Sequence, residues 1–236
     1  MSKTFRKIKT TENMKQITAI LLLPVLIFFA CSGNKTSEDN AEIKSDTAIS
    51  YVDQIPAGGK KMLIKSAIIH MKSSTFGMTQ NIVMYMDDYG KKQMTEVSQK
   101  LLGQEVLQRS VSDSVYMYTY SPKDKTGKKI KKESGGPDNI NFTAITRKMA
   151  RELNLKKTGT TVVAGHSCEV YTLEVPAANL KGTYYIWKGI PIKTVSSVRG
   201  ISITMEATRI EENPAIPAET FKIPEDISFE EAASFK

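Results

Sequence analysis

Gly165-His166-Ser167-Cys168 brings a histidine, a hydroxyl and a thiol within three positions, the one stretch where a base stands beside two nucleophile types. The chemistry it could do is acyl transfer. A nucleophile elbow, however, requires G-x-S-x-G on a strand-to-helix turn. Position 169 is Glu, and both flanks read as strand. His166 and Cys168 could share a strand face, yet a thiol nucleophile needs a base that a third group orients, and none is placed here. The segment reads instead as a hairpin turn followed by a core cysteine. His70, in KSAIIHMK, reads as a strand histidine, either facing solvent or satisfied in the core. Two histidines leave no three-His metal site, and two cysteines make neither a four-Cys zinc site nor a disulfide-dense scaffold. Asp87-Asp88 precede Tyr89-Gly90, where aspartate favours a turn. No catalytic residue, metal or cofactor is expected, and the chain reads as a non-enzyme.

The remaining cysteine carries a different chemistry. Residues 1–16 hold Lys3, Arg6, Lys7, Lys9 and Lys15 against Glu12, and ITAILLLPVLIFFA follows from Ile17 to Ala30. As a helix that run rises about 21 Å, short of a roughly 30 Å hydrocarbon core, so it reads as a secretory leader. Phe28-Phe29-Ala30-Cys31 resembles the lipobox of bacterial lipoprotein signal peptides, with Ala30 in the small position before the cut. The resemblance implies cleavage before Cys31 and lipidation of its sulfur. Two or more acyl chains would hold the protein stably to a membrane. An ordinary signal cut elsewhere and an uncleaved anchor are the rival readings. Losing the leader removes five basic residues and one acidic, lowering the formal charge from +8 to +4. That leaves little electrostatic basis for a nucleic-acid partner.

Those features divide the chain into a leader over 1–30, a tether over 31–59 and a domain over 60–236. The tether is rich in Ser, Asn, Lys, Asp and Glu. Its Ser37-Glu38-Asp39-Asn40 patch reads as solvated linker or as a sorting cue. The domain must then position whatever binds. With 40% hydrophobic and 25% charged residues the composition is globular. Short apolar runs follow one another across turn signals: Lys61–Lys72, Met78–Asp87, Lys92–Lys100, Gln104–Val111 and Val115–Tyr120. Pro122–Pro137 reads as a basic loop carrying Lys123, Lys125, Lys128, Lys129, Lys131 and Lys132, either solvated or touching anionic headgroups. A helix is expected from an Asn141 N-cap, with Phe142, Ile145, Met149 and Leu153 on one face. Strands resume at Thr160–Ala164, Cys168–Val175, Thr183–Trp187, Ile192–Ser197 and Ile201–Ile210, and the Pro-rich tail is expected along the sheet edge. The fold class is mainly β (α+β): an antiparallel meander of about ten strands with one amphipathic helix.

In Ile82-Val83-Met84-Tyr85-Met86, Val115–Tyr120 and Tyr184–Trp187 both alternating sets are apolar or aromatic. A sheet wet on one side does not need that; either both faces are covered or one lines an apolar hollow. The hollow would be lined by Ile82, Met84, Met117 and Ile186, faced by Phe142, Ile145, Met149 and Leu153. Nine of the 11 methionines follow the leader, and flexible thioethers suit an adaptable pocket as well as an irregular core.

The second half resembles the LolA/LolB-like lipoprotein-carrier superfamily. The residues that carry the likeness are Val163-Ala164-Gly165-His166-Ser167-Cys168-Glu169-Val170-Tyr171, Tyr184-Tyr185-Ile186-Trp187-Lys188-Gly189-Ile190-Pro191-Ile192-Lys193, and Glu211-Glu212-Asn213-Pro214 leading to Phe221-Lys222-Ile223-Pro224. The resemblance implies an unclosed, strongly curved sheet cupping helices around a hollow that holds acyl chains in some members. A cell-envelope lipoprotein at the outer membrane follows as the expectation, facing the periplasm or the surface. Its partners would be the membrane through Cys31, an acyl chain or the lipid group of another lipoprotein, and an envelope protein. The alternative is a structural lipoprotein with a fully packed sheet and no ligand.

Overall fold

The computed structural model describes residues 48–56, 58–113, 115–132 and 140–232; the leader, Cys31 and most of the tether lie outside them. In chain order the strands are β1 (Tyr51–Val52), β2 (Ala67–Thr75), β3 (Met78–Asp87), β4 (Lys92–Leu101), β5 (Gln104–Ser112), β6 (Tyr116–Ser121) and β7 (Thr126–Lys131). There follow β8 (Ile145–Thr146), the helix α1 (Arg147–Glu152), β9 (Lys156–Val163), β10 (His166–Val175), β11 (Leu180–Trp187), β12 (Ile190–Val198), β13 (Ile201–Glu212) and β14 (Ser228–Ala232).

Twelve of the strands form one large, curved, unclosed sheet in the order β14-β7-β6-β5-β4-β3-β2-β13-β12-β11-β10-β9. It is two meanders joined where β13 returns to β2, with Ile210 opposite Ile69 and Ala207 opposite Met71. Within this sheet every pairing is antiparallel except β14 on β7. Register shifts at Val170/Tyr171, Tyr185/Ile186 and Ala207/Arg209 mark the places where extra residues bend and twist the ladder. The mainly β, open, curved architecture is the expected one, with two more strands in the sheet than the sequence suggested.

Three local expectations are corrected. Asn141 does not cap a helix: its side-chain oxygen accepts from Thr143 N, and its amide donates to Lys60 O. The cap is Thr146, in extended conformation, whose hydroxyl accepts from Met149 N at 3.1 Å. The helix is therefore only six residues long, and Ile145 belongs to β8, paired in parallel with β1. So short a helix is not stable alone and rests on tertiary packing. The Lys-rich stretch is not a loop throughout. Its middle is β7, in which Ile130 is buried while Lys128 and Lys131 stay exposed. Lastly, Ile49 and β1 lie within the span assigned to the tether but pack on the domain.

The core falls into three clusters. One joins Met62 and Ile64 to Ile69, Met71, Ile82 and Ile192. Another lies between the α1 region and β10–β12. The third forms where the C-terminal segment carrying Phe221, Ile223, Ile227 and Phe229 covers Met94, Val111 and Tyr120. The tail does run along the sheet edge, as expected, and it also covers part of a face.

Candidate apolar binding site

Five of the eight residues expected to line a hollow meet in the α1 cluster. Ile145, Leu153 and Ile186 are buried there, and Phe142 and Met149 are half-buried against them. Local chemistry sets this arrangement. The Thr146 cap turns the chain into α1, Leu155 N donates to Ala150 O at 2.8 Å to close it, and Glu174 N donates to Leu153 O at 3.0 Å, tying the exit to β10. Across from the helix, Tyr171, Leu173 and Leu180 supply the sheet side. Phe142 bridges two of the rings, with centroids 5.3 Å from Tyr171 and 6.0 Å from Tyr184.

The remaining three stand elsewhere. Ile82 and Met84 face Met71 and Ile69 across the β2–β3 ladder and belong to the first cluster. Met117 is half-buried on β6, opposite Ile130 and Ser112. Both sets of β-strand methionines therefore pack in places separate from α1. Sequence reasoning missed Tyr171, Leu173, Leu180 and Tyr184. The signal was the alternation in CEVYTLEV, which puts Tyr171 and Leu173 on one face, continued across β11 by Tyr184 and Gly182.

One end of the seam is polar. The Lys157 ammonium lies 2.9 Å from Glu169 Oε1, and the Tyr171 hydroxyl donates to Glu169 Oε2 at 2.9 Å. Lys157 is buried, so the pair with Glu169 offsets the cost of desolvating its charge. Two concavities lie elsewhere on the sheet and hold none of the eight candidate residues. One, of about 340 Å³, is lined by Asn154, Lys156, Thr172, Glu174, Ser196 and Ser202 among others, and Leu173 alone is shared with the α1 cluster. The other, of about 250 Å³, lies among Thr79, Asn81, Ser98, Gln99, Lys100 and Glu105.

The Cys168 thiol and both histidines are engaged in structural contacts, and Ser167 is exposed on β10. Cys168 lies buried in β10, its Sγ 3.4 Å from His166 O, and burial pushes the thiol up to about 11. At neutral pH it is protonated and a poor nucleophile. The His166 ring rests against Trp187, with centroids 4.6 Å apart, and His70 Nε2 lies 3.7 Å from Glu211. Among the described residues no group of three or more His, Cys, Asp or Glu could hold a metal ion, and no helix is long and apolar enough to cross a membrane.

No protein-family model matches the sequence, and no curated protein matches it. Solved structures do resemble the fold. An uncharacterized conserved protein from Thermus thermophilus superposes with a TM-score of 0.50 at 8% identity, over 72% of this chain and 92% of that one. The MucA/MucB complex of Pseudomonas aeruginosa matches with a TM-score of 0.41 at 14% identity, over 69% of this chain and 57% of that one. A DUF1329 family protein from Desulfovibrio piger gives 0.33 at 11% identity, over 67% and 90%. At these identities the likeness to the Thermus protein concerns the fold alone.

Proposed function

We propose that this chain is a lipid-anchored, non-catalytic binding protein of the cell envelope. Cys31 carries the anchor, and an apolar ligand, an acyl chain or the lipid group of another lipoprotein, enters the seam under α1. The observation that carries this reading is the convergence of Phe142, Ile145, Met149, Leu153 and Ile186 beneath a helix only six residues long. Phe142, Met149 and Tyr184 stay half-buried at its margin, where a short helix can shift without breaking the sheet. Binding there needs no reactive group. Burial at about 25 cal/mol per Å² of apolar area drives it. The lipobox-like Phe28-Phe29-Ala30-Cys31 and the resemblance to lipoprotein carriers support an outer-membrane location.

A second reading is an interaction lipoprotein with a packed sheet and no ligand. It is favoured by the near-complete burial of Ile145, Leu153 and Ile186 and by the absence of all eight candidate residues from both concavities. One experiment separates the two. Native mass spectrometry of the detergent-free protein is expected to show a bound lipid, and a fluorescent fatty acid is expected to bind. Met149→Trp, which narrows the margin of the seam, should weaken that uptake roughly tenfold. A clean apo mass with no uptake removes the ligand and leaves the interaction protein. The anchor is tested separately by the mass of the N-terminal peptide and by membrane release of Cys31→Ser.

A further inference from the structure

The helix α1 has little of its own to hold it over the seam. Its six residues are fewer than an isolated helix needs. Its first turn carries Arg147 and Lys148 and no acid, so two cations stand at the positive end of the helix dipole. Ala150 is the one residue buried within it. Residues just before the large sheet supply what is missing. β1 pairs in parallel with β8, Tyr51 opposite Ile145 and Val52 opposite Thr146. Thr146 thus has two tasks: its backbone lies beside Val52, and its hydroxyl caps α1 by accepting from Met149 N. The Arg147 guanidinium lies 4.9 Å from the centre of the Tyr51 ring, and that ring offsets the unfavourable placement of the charge. Ile49 is half-buried against the cluster that contains Phe142, Ile145, Met149 and Leu153.

This attachment is the weakest closure of the seam. A two-stranded pair is marginal in water, and here it comprises two residues a side. Tyr51 is 39% exposed, and Ser50 and Asp53 beside it are exposed as well. The approach to β8 is held separately, because the Asn141 amide and the Thr143 hydroxyl donate to Lys60 O at 3.1 and 2.6 Å. The exit from α1 is tied to β10 through Glu174 N. β1 adds no strand to the large sheet, so it can come away while both ties and the sheet remain. The chain behind Ile49 leads back to Cys31. We propose that β1 is a latch: paired with β8 it keeps α1 folded over the seam, and its release lets α1 unfold and the seam open. Access to the seam is then governed by the segment through which the chain reaches Cys31. That an apolar ligand uses the opening rests on the function proposed above.

Hydrogen exchange of the full-length protein without ligand tests the latch directly. It is read over residues 149–155, whose amides bond Thr146 Oγ1, Met149 O and Ala150 O, with β11 and β12 as the control. Tyr51→Ser removes the ring beside Arg147, and Tyr51 lies outside the seam's cluster. Exchange over 149–155 is expected to speed about fivefold, with β11 and β12 at parent rates. Adding Arg147→Glu places an acid at the first helical position, where the dipole favours it, and should bring exchange back to within about twofold of the parent. Uptake of dansyl-undecanoic acid should accelerate in Tyr51→Ser and return in the double variant. Unchanged exchange over 149–155 overturns the latch, as does an equal rise over β11 and β12. Raised exchange with uptake still at the parent rate overturns its control of access. Raised exchange with no uptake by any form keeps the latch and removes the ligand. Exchange over 149–155 that slows as protein concentration rises would place a second copy's β1 on β8 and overturn a latch within one chain.

Discussion

At the scale of single residues, the difference between a reactive constellation and a packed one comes down to burial. His166 and Cys168 are as close in sequence as a catalytic pair need be, but Cys168 sits in the first core cluster and the His166 ring packs at a tilt against Trp187. The raised thiol has a consequence for stability. In the unfolded chain it ionises near its ordinary value of 9.0, whereas in the fold burial holds the proton until about 11. Stability from this group is whole below pH 9 and is lost as pH climbs toward 11, because the unfolded state gives up its proton first. The loss amounts to roughly 3 kcal/mol at most. Cys168→Ala should therefore unfold with a shallower dependence on pH between 9 and 11 than the parent. Identical slopes in urea titrations would show that the thiol is not the group held back.

At the scale of elements, the edge strand β14 shows how a distant segment can depend on one glycine. Phe229 lies over Gly127 of β7, and its ring meets Tyr118 and Tyr120 edge-on, with centroids 5.2 and 6.1 Å away. A Cβ at position 127 would stand 2.7 Å from Phe229 Cε1 and 2.9 Å from Thr119 O, so ring and backbone crowd it from both sides. Gly127→Ala is expected to cost about 1–3 kcal/mol and to speed amide exchange over residues 228–232, with exchange in β10 unchanged. Protection of β14 as in the parent would mean that the ring simply swings aside. The same strand explains why this edge was half legible. The tail's alternation of proline and apolar residues gave its place, whereas the run of lysines before it concealed β7. Lysine count signals solvent, and β7, one strand in from the edge with several exposed positions, is solvated too. The helix was misjudged for a related reason. Phe142, Ile145, Met149 and Leu153 do bury one side, but only Met149 lies within α1; the rest reach the same cluster from strand and irregular backbone. Helical spacing cannot distinguish those routes.

At the scale of the whole molecule, the question is whether two meanders make one cooperative unit. Strand alternation made the hairpins other than β6–β7 legible, since each of those turns sits beside its own strands. The pairing of β13 with β2 was not, because contacts separated by more than a hundred residues leave no local signature. Yet that seam carries much of the core: Ile69, Met71 and Ile82 from the first meander share a cluster with Ile190, Ile192 and Ala207 from the second. Ala207 is buried beside the register shift, opposite Met71, with little room for a larger side chain. Ala207→Leu should overpack the joint and cost about 1–3 kcal/mol. If the shared cluster couples the halves, Trp187 fluorescence, which reports the second meander, and far-UV circular dichroism, which reports the entire sheet, will lose their signals at one urea midpoint in parent and variant alike, with the variant shifted lower. Separate midpoints in the parent would show two independently folding halves. Separation only in Ala207→Leu would locate the coupling at this joint, where a ligand-induced opening of the curved sheet would also have to act.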